Sequence, residues 1–110
     1  MSNLSRIELL QTYAEQEPDN PFNWYALALE YRSANPELAL NYFNKLLSEH
    51  KVYLPTYYHA ALLHAEMDHL EEAKSIYENG IALAKEVGDQ HALSELQNSY
   101  QNFLIDYDLI

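Results

Sequence analysis

Cysteine is absent from the chain, which excludes a disulfide framework and any thiolate metal site. Glycine occurs twice and proline four times, and a sequence so poor in backbone breakers leaves little room for hairpins or long loops. With only Gly80 and Gly88 available, a phosphate-cradling glycine loop, a dinucleotide fingerprint and a nucleophile elbow are excluded too. Positive charge is equally scarce. Six Lys and Arg stand against seventeen Asp and Glu, for a formal net charge of −11, and Arg6, Arg32, Lys45, Lys51, Lys74 and Lys85 are dispersed rather than clustered. Such a chain repels phosphate backbones and anionic lipid, so nucleic acid and membranes are not expected partners. No apolar run approaches the roughly 18 residues of a membrane span, and MSNLSRIELLQTYAEQEPDN holds no uninterrupted apolar stretch of signal-peptide length. The expectation is a soluble, cytoplasmic protein without a cofactor.

What is present is helix-forming material: 110 residues, 48% of them hydrophobic and 21% charged, is the composition of one globular domain. In SRIELLQTYAEQEP, the residues Ile7, Leu10, Tyr13 and Ala14 recur at helical spacing, Ser5 and Glu8 are placed as a capping box, and Pro18 bounds this first helix. Asn20 with Pro21 opens a second helix, and Asn35 with Pro36 a third that runs to about Glu49. A fourth is expected from about Pro55 to Met67. Asp68 and Glu71 are spaced as a capping box for a fifth starting at His69 or Leu70, Gly88 closes it, and Asp89 caps a sixth. Six helices and no strand are expected, with short turns making successive helices antiparallel.

The helix pairs repeat. Trp24, Ala28 and Tyr31 recur as Tyr57, Ala61 and His64, and Ala39, Phe43 and Leu46 recur as Ala73, Tyr77 and Gly80. A period near 34 residues built from two antiparallel helices is a solenoid unit. Ala28, Ala39, Ala61 and Ala73 fall where helix axes approach most closely. Most of the rings of NWYALALEYRSANPELALNYF are accordingly expected in the core, with Trp24, Tyr31, Phe43, Tyr57 and Tyr77 filling the wider gaps.

These residues resemble the tetratricopeptide repeat: Trp24, Leu27, Ala28, Tyr31, Ala39 and Phe43 in one unit, Tyr57, Ala60, Ala61, His64, Ala73, Tyr77 and Gly80 in the next. His64 stands where the family usually has Tyr, and Ala60 where it has Leu. The resemblance implies an all-α fold, a right-handed α-α superhelix (solenoid) of antiparallel helix pairs. Residues 1–110 form one such domain: a leading half-repeat at 1–18, repeats at 21–52 and 54–87, and a capping helix with an apolar tail at 89–110. The polar run SELQNSYQN suits a water-tolerant end.

The implied function is noncatalytic: an adaptor holding a peptide or partner protein on the concave face. Helical phase turns Phe22, Tyr25, Leu29 and Arg32 of the second helix toward that face, and Tyr58, Leu62, Ala65 and Glu66 of the fourth. Tyr25 and Tyr58, each one residue past a signature aromatic, are the expected anchors. Members of the family that clamp a C-terminal carboxylate carry Lys and Asn where this chain has Tyr25 and Leu29, so that clamp is not expected. A tyrosine-lined groove on an acidic body instead favours peptides with apolar anchors and basic flanks.

Two further readings compete. His59, His64 and His69 are spaced five apart and the turn at Asp68 is expected to separate His69 from the others, so a metal-dependent hydrolase built on His59, His64 and Glu66 is the weakest. The tail FLIDYDLI places Phe103, Leu104, Ile105, Tyr107, Leu109 and Ile110 close together. Packing of an extended last helix on the fifth is the favoured outcome; docking into the chain's own groove and a homodimer through residues 103–110 are the alternatives.

Overall fold

The computed structural model describes residues 3–110, with side chains from Ser5 onward; residues 1 and 2 of the leading half-repeat lie outside the described residues. Six helices account for nearly all of it: α1 (Asn3–Gln16), α2 (Pro21–Tyr31), α3 (Pro36–Glu49), α4 (Pro55–Glu66), α5 (Leu70–Val87) and α6 (Gln90–Asp106), and no strand occurs among the described residues. The chain divides after Tyr53 into two compact units of three helices each. The expected repeat at 21–52 falls in the first unit and that at 54–87 in the second.

In the first unit, Asn20 accepts a hydrogen bond from the Phe22 N–H at 3.1 Å and Asn35 one from the Leu38 N–H at 3.3 Å. Each asparagine satisfies an orphan donor while the following proline supplies a preset φ. Ala28 and Ala39 are fully buried, as are Leu27, Phe43 and Leu46, so α2 and α3 meet over small side chains. Trp24 and Tyr31 are only half-buried, as is Tyr42, which corrects the expectation that most rings of this stretch lie in the core. They pack on one another instead: Tyr42 stacks on Trp24 and on Tyr31, both at 5.9 Å between centroids. Lys45 Nζ lies 4.9 Å over the Trp24 ring, and the indole N–H donates to the Pro18 carbonyl at 3.0 Å, tying down the α1–α2 turn.

Two expectations for α1 are corrected. Ser5 lies inside the helix rather than at its N-cap, because the helix already runs from Asn3. Tyr13 is 43% exposed although it shares the spacing of the apolar stripe; α1 packs mainly on α2, and its fully buried residue is Ala14.

In the second unit, Ala60, Ala61, Ala73, Tyr77 and Ala84 are fully buried. Gly80 of α5 faces Tyr57 of α4 so closely that an added Cβ would lie 2.7 Å from the Tyr57 Cβ. All three helices of this unit end alike. Asp68, Gly88 and Asp108 take left-handed conformations with φ of 64°, 76° and 55°. After each, the next N–H reaches back to the helix: His69 to His64 O at 2.8 Å, Asp89 to Ala84 O at 3.0 Å and Leu109 to Leu104 O at 2.8 Å. This is the Schellman pattern, which satisfies the last orphan carbonyls of a helix. It overturns the expected capping box at Asp68: that residue ends α4, leaving His69 as the α5 N-cap with no side-chain hydrogen bond. An N-cap requires extended backbone, whereas Asp68 is needed in the left-handed region.

Candidate functional site

Helix α6 is a breaker-free segment started by Asp89, whose carboxylate accepts from the Ala92 N–H at 3.0 Å. Its faces divide the work. Leu96 and Phe103 are buried. Ser99 and Tyr100 bind α5: the Ser99 and Tyr77 hydroxyls are 2.6 Å apart, and the Tyr100 hydroxyl donates to the Glu78 carboxylate at 2.8 Å. Burial first, then the bond to Glu78, pushes the Tyr100 phenol up to about 12, so it remains a donor. The remaining face presents Glu95, Asn98, Asn102 and Asp106 at spacings of three and four residues, one line along the helix.

That line borders a cleft of about 420 Å³ within the second unit. Its other wall is α4, which supplies Tyr58, Leu62, Ala65 and Glu66, all four of the residues expected from this helix. Tyr58 and Leu62 are half-buried and Glu66 is exposed, while Ala65 is 6% exposed. Tyr107, just past the end of α6, crosses to α4 and donates its hydroxyl to the Ala65 carbonyl at 3.1 Å, with its ring 5.3 Å from that of Phe103. The cleft therefore combines aromatic and aliphatic surface with two amides and three carboxylates, Glu66, Glu95 and Asp106, and no Lys or Arg lines it. Such a surface takes apolar groups against the rings, hydrogen-bonding groups against the amides and cations against the carboxylates.

The α6 contribution escaped the sequence reading, which assigned SELQNSYQN to a water-tolerant end. A signal was available: Glu95, Asn98, Asn102 and Asp106 share a face adjacent to the buried Leu96–Phe103 line. The expected residues on α2 lie in the first unit. Phe22 is 55% and Leu29 37% exposed, Arg32 caps the helix, and Tyr25 is half-buried with its ring edge-on to Tyr53 at 5.6 Å. A second cavity, about 510 Å³, opens in this unit among Asp19, Pro21, Ser48, Lys51, Val52 and Tyr53, and none of those four residues lines it.

The histidines are not arranged as expected. Because the Schellman turn reverses the chain, His69 returns to His64 and their Nδ1 atoms lie 3.3 Å apart, one donating and one accepting. His64 is 5% exposed. Burial, and secondarily His69, hold its pKa below the ordinary 6.5, with Glu72 opposing. His59 instead packs edge-on to Tyr58. Among the described residues no group of three or more His, Cys, Asp or Glu could hold a metal ion, which removes the geometric basis for a hydrolase on His59, His64 and Glu66. No helix among them is long and apolar enough to cross a membrane. The tail divides: Phe103 packs on Tyr77 of α5 at 5.4 Å and Tyr107 reaches α4, while Ile105, Leu109 and Ile110 are 54%, 42% and 74% exposed.

Antiparallel helices notched by alanine, wedged by rings and carrying a polar, aromatic cleft define a helical-hairpin repeat protein. The chain belongs to the tetratricopeptide repeat family, whose domains generally mediate protein–protein interaction. Residues 24–107 match the family described as Anaphase-promoting complex subunit 5. A solution NMR structure of a tetratricopeptide repeat domain protein from Salinibacter ruber is 38% identical, with a TM-score of 0.73 over 79% of this chain and 89% of that one. A crystal structure of a tetratricopeptide repeat domain protein from the same organism, also 38% identical, aligns with a TM-score of 0.72 over 76% of this chain and 96% of that one. Comparison with curated proteins finds no match.

Proposed function

We propose that this protein is a noncatalytic, cytoplasmic adaptor that holds a partner's peptide segment in the α4–α6 cleft. The observation that carries the proposal is the convergence of Tyr58, Leu62 and Glu66 with Asn98, Asn102 and Asp106 around one cleft. Tyr58 and Leu62 receive the partner's apolar anchors, the two asparagine amides bond its backbone, and the carboxylates select flanking Lys or Arg. Phe22, Tyr25, Leu29 and Arg32 are the corresponding contact residues of the first unit. The matched family's name denotes a subunit of a complex, which supports a scaffolding role. Nucleic acid and membranes are not partners in this reading, in keeping with the −11 net charge.

A peptide array of basic, apolar sequences tests the reading. Binding should weaken with rising salt, and Tyr58→Ala combined with Asn102→Ala should reduce affinity at least tenfold, a loss of about 1.4 kcal/mol. Indifference to both substitutions would place recognition on another face. The exposed Ile105, Leu109 and Ile110 favour a second reading, self-association through the tail. Sedimentation showing a single mass over a hundredfold concentration range would remove it.

A further inference from the structure

We propose that the end of the α4–α6 cleft is an anchor subsite for a tyrosine side chain of the partner, held in this chain by Tyr107 and given up by exchange. The proposal rests on the reading of the cleft as a peptide site. Three observations converge on it. Tyr107 lies beyond the last residue of α6, yet it reaches α4 and donates its hydroxyl to the Ala65 carbonyl at 3.1 Å. That carbonyl already accepts the Asp68 N–H at 3.0 Å, and Tyr107 uses its second lone pair at the negative end of the α4 dipole, where a further donor is favourable. Finally, the residues beside the bonded pair, Glu66 next to Ala65 and Asp106 next to Tyr107, are both carboxylates that line the cleft.

Tyr107 therefore shows which side chain the subsite accepts: a ring to lie against Phe103 and a phenol to reach Ala65. Its own hold is weak enough for exchange. The residue is 37% exposed, its N–H makes the last helical bond, to the Phe103 carbonyl at 3.1 Å, and the turn after it places a non-glycine residue, Asp108, at φ 55°. A partner offering tyrosine with an adjacent Lys or Arg gains what Tyr107 lacks, a cation facing Glu66 and Asp106.

The test uses the full chain and fluorescein-labelled peptides of sequence Gly-Lys-Leu-Tyr-Leu-Lys-Gly, with Phe or Ala replacing Tyr in two controls. Removing the resident ring by Tyr107→Ala should tighten binding of the tyrosine peptide about three- to tenfold, the weight of one hydrogen bond released from competition. The phenylalanine peptide should gain less, and the alanine peptide nothing. Tyr107→Phe, which keeps the ring and loses the bond, should give a smaller gain and serves if the alanine variant does not fold. Tighter binding by neither variant, or weaker binding by both, overturns the proposal: Tyr107 would then be a fixed wall. If Tyr58→Ala still weakens binding in that case, the cleft remains the peptide site and only the exchange is wrong. No binding of any peptide to any variant overturns both.

Discussion

Alanine in place of a glycine inside a helix ordinarily stabilises it by about 0.5–1 kcal/mol, because glycine loses more backbone freedom on folding. Gly80→Ala should do the opposite. An added Cβ would lie 2.7 Å from Tyr57 Cβ, 3.1 Å from its Cγ and 3.3 Å from its Cδ1. The nearest of these atoms is the root of the side chain, which no rotamer change can withdraw, and Tyr57 is 7% exposed. The α4 and α5 backbones must separate locally. Overpacking of this kind costs about 1–3 kcal/mol, so after the helical gain a net loss of about 1–2 kcal/mol is expected. With an unfolding entropy of about 2.1 cal/mol/K per residue, a chain of this length should lose about 4–8 °C in Tm. Calorimetry and urea unfolding measure it, with Asn79→Ala, an exposed neighbour on the same helix, supplying the propensity effect alone. A Gly80→Ala variant as stable as the parent, or more so, would refute the close approach of α4 and α5 and with it the packing logic of the second unit.

Three other outcomes follow from the same unit. His64 has a folded pKa below the ordinary 6.5, from burial first and His69 second, so the unfolded chain binds the proton more readily. Its contribution to stability should be complete above about pH 6.5, decline as pH falls toward the folded value and level off below it; urea midpoints against pH should show this slope, and His64→Gln should flatten it. At Gly88, φ is 76° with open space around the missing Cβ, so Gly88→Ala should cost about 1 kcal/mol from backbone strain alone, and Asp68→Gly should have the opposite sign, both read from urea midpoints. Thr56 is fully buried with its hydroxyl unpartnered, so Thr56→Val should raise stability by about 1 kcal/mol in the same assay.

The asparagine–proline starts at 20–21 and 35–36 were legible because capping is local chemistry: the side chain, the orphan N–H and the fixed φ all lie within four residues. The buried alanines at 28, 39, 61 and 73 were legible because the repeat states the helix contact twice. Asp68 was not. The same aspartate can cap the helix that follows or close the one that precedes, and the competition was settled by the bonds from Asp68 and His69 back to α4. That turn also created the His64–His69 contact, which five-residue spacing along a single helix would not give.

Sequence alone determined that this chain is a set of paired helices of tetratricopeptide type, because period, composition and caps are written into neighbouring residues. The tertiary structure decided which polar residues share a surface. Glu95, Asn98, Asn102 and Asp106 looked like a solvated end until α6 was set opposite α4, and Tyr107 gained its partner 42 residues away at Ala65. Periodicity states that a face exists; only the packing of one helix on another states what that face meets.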